Sequence, residues 1–320
     1  MGEHRMQQLP DWAVSALRCP RCRGGLQVET RISCGECGAS YAVVGGVPVL
    51  LDPEASVVSF SNPEIAADQR GGVQRLLLAA EGILPSLSRS YGSRQNYEQL
   101  VELLDRMSRE RARILVVGGR ILGAGMRPLL DSRAELVETD IAFGPRTMVV
   151  CDAQRLPFAD DTFEGVVIQA VLAAVPDPEQ AVGEIHRVLV TDGLVYAEDS
   201  FMQQVWGGSM DFHRWTAQGH RRLFRAFEEI DRGMVDGPGT ALAWSWRSFL
   251  LSFVSSTGAR LFLGTVARLT AFWLKYLDGI LAKRPAALDA ASGLFFLGRK
   301  SSRVMSDDEI ISGYHRGVGA

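Results

Sequence analysis

The chain reads as an α/β protein, a doubly wound and mostly parallel sheet with a small cysteine-rich module in front of it. Three observations predict this. Five short β-branched runs succeed one another between residues 113 and 200. An amphipathic helix, PEQAVGEIHRVL, lies between the fourth and fifth of them, with Ala181, Val182, Ile185, Val188 and Leu189 on one face. The runs are apolar nearly end to end, as strands must be when helices cover both faces of a parallel sheet.

Composition bounds the rest. At 320 residues the chain can bury one large core plus an appendage. With 47% hydrophobic and 22% charged residues it is no disordered, collagen-like or rod-forming sequence. A net charge of −3 gives no global positive field, which disfavours binding to nucleic acid through phosphate neutralisation. The first residues, MGEHRMQQLPDW, lack the apolar stretch of a secretion signal, so a cytoplasmic setting with reduced thiols is expected. The longest uncharged run near the hydrophobic C-terminal third, 248–259, is too short to span a bilayer.

Taken in order, residues 1–55 carry four of the five cysteines as Cys19-x2-Cys22 and Cys34-x2-Cys37. Each pair can present two thiolates from one tight turn, and the spacer is long enough for a hairpin that brings the turns together. Four sulfurs then close a tetrahedral, structural Zn2+ site with no open position for catalysis. Such a segment has too little core to fold alone, and the ion would supply the missing stability. Disulfides or four unrelated thiols are the competing readings, disfavoured in a reducing compartment.

Residues 56–112 read as a helical lead-in, through GGVQRLLLAAEGIL and NYEQLVELLDRMSRERAR. The strands follow as RILVVGG, AELVETDI, RTMVVCDA, EGVVIQAVL and DGLVYAEDS, with EEIDRGM as a sixth and GLFFLGRK as a last. Between these final two, about 237–291 form a helical insertion rich in Phe, Trp and Leu. Within 260–278 the charges Arg260, Arg268, Lys275 and Asp278 share one narrow stripe of a helical wheel. Helices of this kind either pack deep in the protein, the commoner case, or lay an apolar face on a lipid or hydrophobic surface. Residues 301–320 read as a tail.

Ligands of such sheets bind beyond the carboxyl ends of the strands. There the first strand runs into Gly118-Gly119-Arg120-Ile121-Leu122-Gly123-Ala124-Gly125, where glycines let backbone approach a ligand closely. Asp140 ends the second strand, placed to accept from both ribose hydroxyls of an adenosine cofactor. Asp152, before the small Ala153, ends the third and could accept an adenine amino group. Each acid singly also fits a cap or loop role. Asp199, at the end of the fifth strand, and the following MDFHRWTAQGHRRLF with Asp211, His213, Arg214 and His220 are the candidates for substrate contact; Asp199 and His213 are the catalytic pair expected, since a histidine near neutrality could take a proton from a hydroxyl. A surface loop and amphipathic helix is the competing reading. His186 is expected to be structural.

The stretch CDAQRLPFADDTFEGVVIQAVLAAVPDPEQAVGEIHRVLVTDGLVYAEDSF resembles the class I S-adenosylmethionine-dependent methyltransferases of the type 11 group, with their acid-Ala pair, LPF segment, V-x-D-P turn, E-x-x-R-V-L helix and Gly-led fifth strand in that order. The cysteine-rich segment, ending in YAVVGGVPVLL, is similar to the Trm112-like zinc ribbon. The resemblance implies a Rossmann-like, seven-stranded core over 113–300 and S-adenosylmethionine as cofactor. It implies Gly118 and Gly119 under the methionine part, Asp140 at the ribose, Asp152 and Ala153 at the adenine, and Gln169 near the sulfonium, with Arg120 and Gly123 completing the loop. This chain departs from the family at Val116, where an acid is usual, and at Arg120 and Leu122, where glycines are expected.

The function expected is methyl transfer to a small or amphipathic acceptor, such as a saccharide, a lipid-linked group or a secondary-metabolite hydroxyl. Peripheral membrane contact through 240–290, at the inner membrane face, and a partner protein on the ribbon are compatible expectations. The competing functions are a silent scaffold of the same fold, motivated by the altered glycine loop, and a nicotinamide oxidoreductase, since Gly118-x-Arg120-x-x-Gly123 is one residue short of a dinucleotide fingerprint.

Overall fold

The computed structural model describes residues 9–28, 31–52, 54, 56, 84–107, 110–206, 208–282 and 284–314. The expected helix GGVQRLLLAAEGIL lies, save for Leu84, outside the described residues.

The chain begins with helix α1 (Asp11–Ala16) and an antiparallel meander of β1 (Leu26–Val28), β2 (Ile32–Cys34), β3 (Ser40–Val44) and β4 (Val47–Leu50). Gly45 and Gly46, at φ +58° and +82°, close the two-residue turn between β3 and β4. That conformation suits glycine and matches the twist of the flanking strands.

Helix α2 (Ser93–Met107) leads into β5 (Arg113–Val117), α3 (Arg127–Leu130), β6 (Glu135–Asp140), β7 (Val149–Cys151) and β8 (Phe163–Gln169). Then come α4 (Pro178–Val188), β9 (Leu189–Ser200), α5 (Ala217–Leu223) and β10 (Phe227–Asp236). Helices α6 (Pro238–Leu251), α7 (Thr257–Ala271) and α8 (Asp278–Leu281) form the insertion before β11 (Gly293–Lys300).

The strands lie in the order β1-β2-β3-β4-β7-β6-β5-β8-β9-β11-β10. The α/β class holds, but the count differs from the seven expected. Strands β5 to β11 supply those seven, with β11 antiparallel to both β9 and β10. The ribbon adds the rest, because β4 pairs in parallel with β7 through Val49–Val150 and Leu50–Cys151. An apolar PVLL segment next to an open sheet edge buries its backbone groups by extending the ladder. The ribbon is therefore continuous with the sheet.

Both faces of the sheet are covered, and β5 shows it residue by residue. Leu115 and Val117 belong to the cluster that holds Ala181, Ile185 and Val188 of α4, whereas Ile114 and Val116 pack with Tyr97, Leu100 and Leu104 of α2. Alternation on a pleated strand sends neighbours to opposite layers. The amphipathic α4 starts where Asp177 accepts from the Gln180 amide at 2.9 Å with Pro178 in the first turn. Ribbon residues Leu17, Ile32, Tyr41 and Leu50 share the α4-side core with Phe158 and Phe163, so the ribbon draws stability from the domain as well as from its own turns.

The insertion corrects two expectations. Residues 260–278 are not one helix with a narrow charged stripe: α7 ends at Ala271, and Lys275 and Asp278 turn inward. Asp278, 0% exposed, accepts from the amides of Gly239 (2.6 Å) and Thr240 (3.0 Å) and from the Thr240 hydroxyl (2.8 Å). It caps α6 from across the insertion, because Gly237 at the cap position has no side chain to do so. Lys275 donates to the Ser86 carbonyl at 2.5 Å. Nor are the helices buried all round, since Phe249, Phe262 and Ile280 are 54%, 67% and 68% exposed. No helix among the described residues is long and apolar enough to cross a membrane. The segment read as a tail contains helix α9 (Asp307–Gly313), closed by a reciprocal Ser306–Glu309 cap and tied to α5 through Asp307 and Arg222.

Candidate functional site

Two adjoining cavities open at the carboxyl ends of the parallel strands. The first, about 360 Å³, is lined by Gly118, Arg120, Asp140, Asp152, Ala153 and Gln169 among others. It lies where β5 separates β6 and β7 on one side from β8 and β9 on the other, the point at which the winding reverses.

The glycine loop is shaped by close approach. Gly118 sits at φ +80°, and a Cβ there would fall 2.1 Å from Val171 Cγ2, itself in the cavity wall. The amides of Gly118 and Gly119 both donate to the Thr139 carbonyl at 2.8 Å. Gly119 turns away from the cavity, where a Cβ would press on Glu138 and Val116. Gly123 backs onto Gln169, whose Oε1 would be 1.8 Å from an added Cβ. Neither of these two glycines lines the cavity.

Arg120 does line it, with an exposed side chain folded across Gly144, and the hollow stays open beside it. Val116, where the family has an acid, is buried in the α2-side core.

Asp140 ends β6 with Oδ1 accepting from the Ala142 amide (3.0 Å) and Oδ2 from the Arg120 amide (3.3 Å). Burial pushes its carboxyl above the usual range, against the pull of the Ala142 amide and the Arg120 charge. Asp152 accepts from the Gln154 amide at 2.9 Å and from the Ser56 hydroxyl at 3.2 Å, which links the end of the ribbon to the cavity wall.

Gln169 donates to Glu198 Oε2 at 2.5 Å and to the Ala124 carbonyl at 3.1 Å, and its Oε1 accepts from Tyr97 at 3.3 Å. Glu198 also accepts from Tyr196, and burial raises its pKa against hydrogen bonds from Ser93, Tyr196 and Gln169. Gln169 lines the first cavity and Glu198 the second, so this pair stands between them, while Ala170 and Trp206 line both. Sequence reading missed Glu198. The signal was available in AEDS, where successive strand residues must face opposite layers and only Asp199 was weighed.

The second cavity, also about 360 Å³, is bounded by Ser88, Asp199, Trp206, Asp236, Trp244 and Arg247, among other residues. Asp199 is buried and accepts from His220 Nε2 at 3.0 Å. Burial pushes its carboxyl up, opposed by His220. His213, expected beside it, lines neither cavity. Its Nε2 is 3.3 Å from the Pro176 carbonyl and its ring stacks on Trp215. Helix α5 places His220, five residues beyond Trp215, on its inner face instead. His186 packs on Phe227 and its Nε2 lies 3.0 Å from the Ser301 carbonyl, a structural position.

In the ribbon, the sulfurs of Cys19, Cys22, Cys34 and Cys37 all lie within 4.8 Å of one another, with Cys22–Cys34 at 3.4 Å and Cys19–Cys37 at 3.6 Å. Tetrahedral zinc with bonds of ~2.3 Å puts sulfurs ~3.8 Å apart, so the four residues fit that ion. Cys19 is lowered to about 7, burial being outweighed by hydrogen bonds from Tyr41 and from the Cys22 and Arg21 backbone. Against hydrogen bonds from the Gly24 and Ala39 backbone, by contrast, its neighbours' sulfurs push Cys22 up to about 12, and burial with the sulfurs of Cys19 and Cys34 raises Cys37. The fit to zinc therefore rests on the sulfur geometry.

A family model described as a methyltransferase domain matches residues 112–197. That span holds every residue lining the first cavity except Trp206 and Met210. A curated relative, a ubiquinone/menaquinone biosynthesis C-methyltransferase of Desulfotalea psychrophila, is 48% identical over 44 residues, which are 14% of this chain and 18% of that protein. Among solved structures, a phosphoethanolamine N-methyltransferase of Haemonchus contortus in complex with S-adenosyl-L-methionine matches at TM-score 0.40 and 13% identity, covering 64% of this chain and 53% of that one. The [4+2]-cyclase SpnF matches at TM-score 0.41 and 18% identity, covering 72% and 92%.

Proposed function

We propose, from the premise that residues 112–197 are a class I methyltransferase domain of the S-adenosylmethionine-dependent type, that this protein transfers a methyl group to a small or amphipathic acceptor held in the second cavity. The observation that carries the reading is the convergence of Gly118, Asp140, Asp152, Ala153 and Gln169 on one cavity at the switch point of the sheet.

In this reading Asp140 accepts from the ribose hydroxyls, and Asp152 with Ala153 receives the adenine. Gly118 gives the methionine part room, and the exposed Arg120 meets its carboxylate with a charge-assisted bond. S-adenosylmethionine, when bound, supplies an electrophilic methyl group on a sulfonium. What remains for the chain is alignment and exclusion of water. Gln169, fixed by Tyr97, Ala124 and Glu198, holds the partition between cofactor and acceptor cavities in one arrangement. A base is needed only where the attacking atom must lose a proton, and Asp199 with His220 is the dyad nearest to that task.

The four cysteines take a structural zinc. The exposed apolar residues of α6 and α7 are the surface on which an amphipathic acceptor, or the membrane face that carries it, would lie.

Calorimetric titration tests the reading. One site per chain for S-adenosylmethionine and its demethylated product is expected, with no heat from NADH. Silence toward both adenosyl compounds would favour the scaffold that Val116, Arg120 and Leu122 suggest, and NADH binding would favour the oxidoreductase.

A further inference from the structure

Three buried oxygen atoms of residues lining the second cavity have no donor among the described residues to accept from. Asp199, 4% exposed, lines it, and its Oδ1 is buried with no hydrogen-bond partner among the described residues; the same holds for Asp236 Oδ1 and Gln204 Oε1. All three are acceptors. Buried acceptors left unsatisfied are costly, so a ligand that donates hydrogen bonds is the natural complement.

Charge narrows the class of donor. Glu198, Asp199 and Asp236 line the cavity against one arginine, Arg247, and the indoles of Trp206 and Trp244 complete the wall. Glu198 is already committed to Tyr196 and Gln169 and Asp199 Oδ2 to His220, so the spare acceptors are Asp199 Oδ1 and the carboxylate of Asp236, which makes no side-chain hydrogen bond among the described residues. Gly293 makes room for a guest beside it. In the ladder it sits between Asp236 and Ser200, and an added Cβ would come within 3.6 Å of Asp236 Oδ2 and 3.2 Å of Val235 Cγ2. An apolar floor would not need three acceptors, and an anion would meet net negative charge.

We propose that the second cavity selects an acceptor bearing a protonated amine, with Asp236 as its counter-ion and the flanking indoles as its apolar and cation–π walls. This rests on the methyltransferase reading for the word acceptor, whereas the amine preference stands on the cavity alone. Asp236 is raised to about 6 by burial and by the neighbouring Asp278. The groups facing it are Glu198 and Asp199 from β9, Arg247 from α6 and Asp278 from α8. Ammonium binding therefore weakens as pH falls through that value.

The probes are matched pairs, 2-phenylethylamine against 2-phenylethanol and cadaverine against 1,5-pentanediol. Binding is followed by calorimetry and by tryptophan fluorescence, with and without saturating S-adenosylhomocysteine. The amine of each pair is expected to bind at least about tenfold more tightly at pH 8, and about tenfold more weakly at pH 5 than at pH 8, where one carboxylate is lost to protonation. Asp236→Asn should bring the preference below about threefold while S-adenosylhomocysteine still binds, since Asp236 is outside the first cavity. Equal binding of alcohols and amines, no binding of any amine, or a preference that survives Asp236→Asn overturns the proposal. Failure of S-adenosylhomocysteine to bind overturns the methyltransferase reading instead.

Discussion

Asp236→Asn also tests the electrostatics without any ligand. The carboxyl sits at the end of β10, one residue before the turn into α6, and shares its surroundings with the buried Asp278. Burial and that neighbour move it from an ordinary 3.8 to about 6, so the fold favours its protonated form. The stability this contributes is fully present below 3.8 and is lost as pH rises through about 6. Each tenfold is worth about 1.4 kcal/mol, so the ionised side chain penalises the unliganded protein by about 3 kcal/mol above neutrality. Asparagine cannot ionise. Urea unfolding of both proteins in their zinc-loaded form should show the variant ahead by about 1 kcal/mol at pH 4.5 and by about 3 kcal/mol at pH 7.5. A gap that stays constant with pH, or a variant less stable at pH 7.5, would refute the assignment of that strain to Asp236. The outcome expected is a protein made more stable by losing the group its ligand needs, a trade common at binding sites.

Other perturbations bear on separate parts of the structure. Gly118→Ala forces a side chain into a left-handed backbone at a cost of about 1–2 kcal/mol and drives its Cβ into Val171, so S-adenosylmethionine affinity measured by calorimetry should fall at least about tenfold, with a lower melting temperature. Asp140→Ala removes the acceptor proposed for the ribose and the tie to the Arg120 and Ala142 amides; affinity should drop about 10- to 100-fold, on a scale of about 1.5–3 kcal/mol for bonds to a charged group, with Asp140→Asn milder. Stripping the metal with a chelator, or Cys34→Ser, should lower the melting temperature and weaken cofactor binding together, because β4 is paired to β7 and Ser56 reaches Asp152; unchanged affinity would show the ribbon uncoupled. The double variant Phe253→Glu, Phe262→Glu should leave the melting temperature within about 1 °C, as expected of exposed positions, yet abolish co-sedimentation with anionic vesicles if the insertion meets a membrane.

Where local spacing decides the chemistry, the amino-acid order was enough. The two CxxC turns, Asp177 with Pro178 at the start of α4, and the acids that close β6 and β7 are each legible because a cap, a metal turn or a strand end is made by residues a few positions apart. The cavity lining of Gly118, Asp140 and Asp152 follows from strand ends once the sheet is known to be parallel, whereas Gln169 was implied by the family resemblance.

Long-range placement decided the rest. His213 and His220 look alike in the sequence, and only the packing of α5 over β11, beside β9, gives Asp199 to His220. Lys275 and Asp278 read as part of one narrow charged stripe because a wheel knows nothing of Ser86 or of the bare N-terminus of α6, which lie far away along the chain and supply their partners. Gly119 and Gly123 read as ligand-facing, and steric fit against Glu138 and Gln169 turns them away. Asp236 showed no signal at all, since its displaced proton affinity comes from burial beside Asp278. The ribbon's union with β7 is likewise a matter of an open edge finding a strand. Sequence by itself therefore determined the strands of the core, the clustering of the four cysteines and the acids at the ends of β6 and β7, through short-range stereochemistry. Tertiary structure alone decided which polar groups were left buried without partners, because desolvation and pairing depend on neighbours that the chain brings together only when it folds.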